Sequence, residues 1–155
     1  MPDTLLDGVA KELMAVTAIT DLVGAFGVHQ IRPYEEVPQG GARLVVRQDG
    51  HWSMGAVAKT TQFPVLQIEA WVDPPRSEGL VTSPTAGQTA IELLGLCDDV
   101  LHVVDPGNGF ITWGTDFMLM SSQRISEPRE RPMPKEVDEL QVWYQQWAIQ
   151  TVRHS

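Results

Sequence analysis

The groups in this chain that could move a proton, attack a carbonyl or hold a metal are four histidines, one cysteine and a pair of adjacent glutamates. His29, His51, His102 and His154 stand far apart. None lies three to five residues from another, and none flanks a carboxylate pair as a metal motif requires. That spacing reads as surface or strand-edge histidines. Cys97 precedes Asp98 and Asp99, whose charge disfavours a thiolate, and it falls on an apolar helical stripe, so it reads as a small buried hydrophobe. Glu35 and Glu36 follow Tyr34 in a loop, where adjacent acids are ordinarily just solvated. Gly107-Asn108-Gly109 has the glycines of a phosphate loop, but it follows a helix instead of leading into one. Trp52, Trp71, Trp113, Trp143 and Trp147 have Gln, Glu and Thr around them rather than the Arg and Lys of a base-stacking platform. They read as core and interface residues. These patterns predict no enzyme, no metal and no cofactor.

The elements that must position these residues follow from periodicity. Leu5, Leu6, Val9, Leu13 and Val16 recur at helical spacing, with Asp3 or Thr4 available to cap the first turn. A second short helix is expected over about 18–23, with Thr17 as cap and Gly24 as stop. Residues 28–33 and 42–48 read as strands, Asp49-Gly50 as a turn, and residues 51–62 are ambiguous. In VLQIEAWV, Leu66, Ile68, Ala70 and Val72 share one face while Gln67, Glu69 and Trp71 share the other, the cleanest strand signal present. Ser83 and Pro84 then head a helix expected to run to about Val104, with Ala86, Ala90, Leu93, Leu94, Cys97, Leu101 and Val104 as its buried stripe. Residues 110–114 and 117–125 are two strands or one bent strand. SEPRERPMPKEVDE, residues 126–139, holds three prolines and eight charges and reads as an exposed loop or arm. Leu140 to Val152 closes the chain as a strand with Trp143, Trp147 and Ile149 on one face, although Val142, Trp143 and Trp147 also fit a helix. This order predicts an α+β fold, a mainly antiparallel sheet with helices packed on one face.

Bulk properties agree with one domain over residues 1–155. At 155 residues the chain can bury a substantial core, and its 43% apolar and 20% charged content is that of a globular protein. No apolar run reaches the roughly 20 residues that span a bilayer, so no membrane partner is expected. The acids of MPDTLLDGVAKEL replace the positive charge that a signal peptide needs, and one cysteine excludes an internal disulfide framework. Both predict a protein that is not exported. A net charge of −9 repels polyphosphate, so sequence-specific nucleic-acid reading is excluded as a first expectation.

Five phrases, taken in order, carry a resemblance over nearly the whole chain. VTAITDLVGA (16–25) belongs to the opening helix pair. FPVLQIEAWVDPPRSEGL (63–80) leads into the long helix AGQTAIELLGLCDDVL (86–101). FMLMSSQRISEPRERPMP (117–134) and VWYQQWAIQTVR (142–153) follow. So ordered, the chain resembles the tail terminator, or tail completion, proteins of long-tailed, non-contractile bacteriophages, the family of the lambda-type terminator, with relatives in prophages and phage-derived particles. The resemblance implies a small subunit that forms a homo-hexameric ring on the head-proximal end of the tail tube. Such a ring stops polymerisation of the major tail tube protein and receives the head-completion or stopper protein of the neck. DNA passes through its hole without being read. The implied place is the tail and neck of a virion assembled in the host cytoplasm.

On that footing the loop charges become candidate interface or lumen residues. Glu35, Glu36, Glu127, Glu130, Glu136, Asp138 and Glu139 are the acids suited to face the DNA path. Arg129, Arg131 and Lys135 suit pairing with acids of a neighbouring subunit or of the tube protein. A solvated loop of balanced charge is the plainer reading of the same residues. Another neck component, or an α+β domain that binds a small molecule in a pocket of convergent polar groups, remains the alternative function.

Overall fold

The last strand organises the structure. In the computed structural model, which describes residues 5–30, 41–51, 61–73, 76–77, 80–81, 86–102, 111–113, 117–130 and 140–153, strand β10 (Gln141–Arg153) has partners along both sides. On one side it pairs antiparallel with β4 (Pro64–Val72) and, near its end, with β3 (Thr61–Gln62). On the other side it pairs antiparallel with β8 (Phe117–Arg124) and, near its start, with β9 (Arg129–Glu130). Outward from this spine, β2 (Ala42–His51) joins β4 and β1 (Val28–Gln30) joins β2, while β7 (Ile111–Trp113) joins β8. The order is β1-β2-β4-β10-β8-β7, antiparallel except for the parallel β1–β2 pair. A separate hairpin joins β5 (Arg76–Ser77) to β6 (Leu80–Val81).

Register makes the two faces of the sheet chemically distinct. Leu44 lies opposite Ala70, which lies opposite Trp143; Val46, Ile68 and Gln145 form the next row, and Leu66 meets Trp147. Side chains in register share a face. This face is where α1 (Leu5–Met14), α2 (Thr17–Val23) and α3 (Ala86–Leu101) pack. Val9, Leu13 and Ile19 from the first two helices join Ala86, Ala90, Leu93, Leu94, Cys97 and Leu101 of α3 and the sheet residues in one buried cluster. The fold is therefore the α+β arrangement that the periodicity predicts, with Leu66, Ile68, Ala70 and Val72 buried in the same cluster as α3.

Helix α3 lies on the central strands β4 and β10, whereas α1 touches β1 and β2 near one edge and β7 at the other. Six strands laid flat would hold their edges about 24 Å apart, and a ten-residue helix is about 15 Å long. With α3 occupying the middle, the sheet curls round it and presents both edges to α1.

Local outcomes differ from expectation at several points. The cap residue of α2 is Val16, not Thr17, with no side-chain cap bond; Thr17 already lies in the helix, and its carbonyl accepts from Thr20 Oγ1 at 3.1 Å. Asp49-Gly50 does not turn the chain. It forms an irregularity inside β2, where Gln48 faces Leu66 and His51 faces Pro64, so β2 carries one extra residue there, with Gly50 at φ 74°. A bulge accommodates that residue by bending the strand, and glycine accepts the positive φ without strain. Helix α3 stops at Leu101 rather than Val104. Ile111–Trp113 and Phe117–Arg124 are two paired strands, β7 and β8, and Gln141–Arg153 is a strand and not a helix. The segment 126–139 is not a free arm from its start, because β9 is hydrogen-bonded to β10.

Ile68 has no exposed surface and sits in the central row of the core. Ile68→Ala should therefore cost about 2–5 kcal/mol of unfolding free energy, measured by urea denaturation. A loss below about 0.5 kcal/mol would contradict the burial of this row, being no more than an ordinary surface substitution.

Candidate functional site

Of the predicted interface residues, the structure describes three. Glu127 is highly exposed, its side chain retaining 82% of its surface, and Arg129 and Glu130 are the exposed residues of β9. Glu35, Glu36, Arg131, Lys135, Glu136, Asp138 and Glu139 lie outside the described residues, as do residues 52–60 of the ambiguous segment 51–62, whose ends are in β2 and β3.

The base of the 126–139 segment is built from hydrogen bonds to β10. Ile125 N donates to Gln146 O at 2.9 Å, and Gln146 N donates to Ser126 Oγ at 3.0 Å. Three residues after Ser126, Arg129 faces Tyr144, and Glu130 faces Trp143. Arg124, the last residue of β8, reaches Glu127 at 3.4 Å and Asp98 of α3, also at 3.4 Å. One guanidinium thus ties helix, strand and loop base together. Exposure and length make each of these pairs weak. The base is nevertheless fixed at four points, so residues 127, 129 and 130 are presented from a defined position.

The described residues that could do acid–base or metal chemistry lie on separate elements: His29 in β1, Cys97 in α3 and His102 after it. Among the described residues, no three His, Cys, Asp or Glu side chains cluster as metal ligands. His29 lies in β1; burial, and then the nearby positive charge of Arg43, hold its imidazole below the ordinary value and favour the neutral form. His102 follows α3 and meets Trp147 edge-to-face, ring centres 6.4 Å apart. Cys97 is fully buried on α3, and burial, with Asp98 adding to it, pushes its thiol up to about 12. His51 has its backbone in β2, and His154 lies outside the described residues.

Alternation in β4 identifies Glu69 as a residue of the second face but not as a buried one. In the structure Glu69 is fully buried. Its Oε1 accepts from Trp71 Nε1 at 2.8 Å, its Oε2 accepts from Gln67 Nε2 at 2.6 Å, and Arg47 Nε lies 3.2 Å from Oε1 as an ion pair too bent for a hydrogen bond. Gln146 Nε2 continues the network, donating to Gln67 Oε1 at 3.1 Å and to Asp49 Oδ2 at 2.9 Å. Asp49, which lies within the bulge at 48–51, thereby meets β10 across β4. Arg43, also buried, donates to Gly41 O at 3.0 Å and to Asp73 Oδ2 at 3.1 Å. The available signal was the matching alternation of Arg43 and Arg47 in β2 with Gln67 and Glu69 in β4. This constellation binds strands to one another, with Trp71 and Gln67 donating to the carboxylate from its own strand and Arg47 bringing its charge from β2.

No protein-family model matches the sequence, and no curated protein matches it. Among solved structures, a chain in the virion of a native gene transfer agent (GTA) particle matches 97% of this chain and 95% of its own length. The TM-score is 0.61 and the identity 18%. The two chains share a fold.

Two measurements test this description. Native protein at pH 8 should resist alkylation of Cys97 by iodoacetamide and react fully in denaturant, since both burial and a thiol near 12 suppress the thiolate; rapid native labelling would contradict the placement of Cys97. Glu69→Ala should strand donors at about 1–3 kcal/mol for each group left unsatisfied, with Glu69→Gln losing less because one acceptor oxygen remains. Equal and negligible losses for both, read from urea denaturation, would contradict the network.

Proposed function

We propose that this chain is a non-enzymatic structural subunit of a phage-like particle, and within that class a tail terminator. The observation that carries the reading is the likeness, over nearly the full length of both chains, to a chain in a gene transfer agent virion. The finer role rests on the order of elements: paired short helices, a strand feeding a long helix, then a strand pair closed by the C-terminal strand. In this reading residues 1–155 act as one domain. Six copies form a ring on the head-proximal end of the tail tube, stop the tube protein from adding, and receive the stopper or head-completion protein. The location is the tail and neck of the particle, assembled in the host cytoplasm.

The charge of the chain suits such a ring. Duplex DNA carries one negative charge about every 1.7 Å of axis, so a basic lumen would retain it. A subunit of charge −9 repeated around a hole lets DNA pass. The exposed Glu127, Arg129 and Glu130 are held at the base of the 126–139 segment. With Arg131, Lys135, Glu136, Asp138 and Glu139, which follow in the sequence, they give a mixed-charge segment suited to a neighbouring subunit or the tube protein. Glu35 and Glu36 are assigned to the DNA path.

Light scattering on the purified chain, with electron microscopy of negatively stained particles, should reveal a six-membered ring with a central hole, alone or once tube protein is added. Replacing residues 131–137 by a short Gly-Ser turn leaves β9 in place and should preserve folding while weakening ring formation or tube capping. A chain that stays monomeric and leaves tube length unregulated would overturn the proposal.

A further inference from the structure

The polar groups that this fold leaves unsatisfied gather in one place. Ser122, Trp147 and Thr151 are fully buried and carry a single side-chain polar atom each, and none of the three atoms has a hydrogen-bond partner among the described residues. All three belong to the pairing of β8 with β10. Trp147 faces Arg124, Ser122 faces Ile149, and Thr151 lies opposite Leu119. Gln145 Oε1, next along the same face of β10, is unpartnered too, although the amide nitrogen of that residue donates to Leu94 O. In β2 the unpartnered atoms are Arg43 Nε and Arg47 Nε, and both guanidiniums still meet an acid, Asp73 at 3.1 Å and Glu69 at 3.2 Å. Only beside β8 do buried side chains lack every partner.

The ladder breaks at the same place. Ser121 faces Gln150 and Leu119 faces Thr151, so Met120 is an extra residue of β8. Such a residue goes unpaired and disrupts the hydrogen bonds around it. On its other side β10 pairs with β4 from Gln141 to Ala148 with no break. A hydroxyl taken out of water without a replacement bond opposes the arrangement that buries it. The attachment of β8 to β10 thus combines an interrupted ladder with partnerless hydroxyls on both strands.

The two ends of β8 are held unequally. Beyond Arg124, Ile125 N donates to Gln146 O and Gln146 N donates to Ser126 Oγ, while Arg124 itself meets Asp98 of α3. The other end lies past the extra residue and pairs with β7, the last strand of the sheet on that side. We propose that the β7–β8 hairpin is a built-in opening point: it parts from β10, and β7 from α1, while β2, β4, β10 and α3 stay folded. The fixed end near Arg124 is its hinge. In the open form water reaches Ser122 and Thr151 and supplies the bonds that the closed form denies them. The inference follows from pairing and burial alone and stands or falls apart from the ring reading. Elements that move when a partner binds come from the least stable part of a structure, so β7 and β8 are the strands suited to adjust against one.

Hydrogen–deuterium exchange of the whole chain, read by mass spectrometry, tests this by comparing Phe117–Arg124 with Pro64–Val72 in wild type, Ser122→Ala and Thr151→Val. In wild type the β8 amides should exchange about tenfold faster than those of β4, or more. Each substitution removes a partnerless hydroxyl, and each should slow β8 exchange about fivefold or more. Urea denaturation checks that both variants fold, with midpoints at or above that of wild type. Faster exchange in β8, slowed by at least one variant, supports the proposal. Protection of β8 equal to or greater than that of β4, or slowing by neither variant, overturns it.

Discussion

A single strand flanked on both sides sets the rest of this structure. β10 receives β4 and β3 on one side and β8 and β9 on the other, so its register decides which residues of five strands face the helices. A slip by one residue would exchange Trp147 and Ile149 for Gln146 and Ala148 on the core face. Gln145 guards against that slip. It is fully buried in the helix-facing row, and its Nε2 donates to the carbonyl of Leu94 at 3.0 Å, which sets α3 against β10 at one point along both elements. The specificity has a cost: Gln145 Oε1, Trp147 Nε1 and Thr151 Oγ1 are buried with no hydrogen-bond partner among the described residues. Each such group opposes folding, so the surrounding apolar cluster must outweigh them.

The second face of the sheet uses different forces. There Val45, Val65 and Val142 are buried beside a carboxylate and two guanidiniums. A lone buried carboxylate would be untenable, yet Glu69 has donors from Trp71 and Gln67 and the charge of Arg47 beside it. The pairing crosses strands: Arg47 from β2, Glu69 from β4 and Gln146 from β10. Polar contacts on this face therefore support the register that apolar packing sets on the other. Acid-base function is not needed to explain why a glutamate sits in the middle of the sheet.

Much of the fold was readable because period and pairing coincided. Leu66, Ile68, Ala70 and Val72 repeat every second residue, and the α3 stripe from Ala86 to Leu101 repeats at helical spacing; both faces prove buried. Where local chemistry and tertiary pairing disagreed, pairing won. Asp49-Gly50 has the composition of a turn, but β4 continues past it as a partner, and the glycine serves a bulge. Thr17 has the chemistry of a cap, yet the extended backbone at Val16 (φ −90°, ψ 112°) starts the helix one residue earlier. Alternation in β4 put Gln67, Glu69 and Trp71 on one side but could not report the burial of Glu69, because it tells which residues share a side and not what covers that side. Of the interface residues, Glu127, Arg129 and Glu130 were recognisable as exposed charges, while the pairing of β9 with β10 had no local signal: Arg-Glu between prolines does not look like a strand.

That pairing changes the electrostatics of the proposed ring. Residues 126–139 hold five acids and three bases, a balance of −2, so most of the −9 lies elsewhere in the chain. Helix α3 is one source: its sixteen residues include Glu92, Asp98 and Asp99 and no base. Arg124 compensates Asp98 from β8, which leaves Glu92 and Asp99 on the exposed side. The near-balanced charge of this stretch, whose described base Glu127, Arg129 and Glu130 is fastened to β10, suits the proposed contact with protein, where opposite charges find partners. An uncompensated acidic helix face suits, in the proposed ring, a surface that must not hold DNA. Among the described residues the two charge patterns meet at Arg124, which neutralises both Asp98 of α3 and Glu127 at the base of the 126–139 segment.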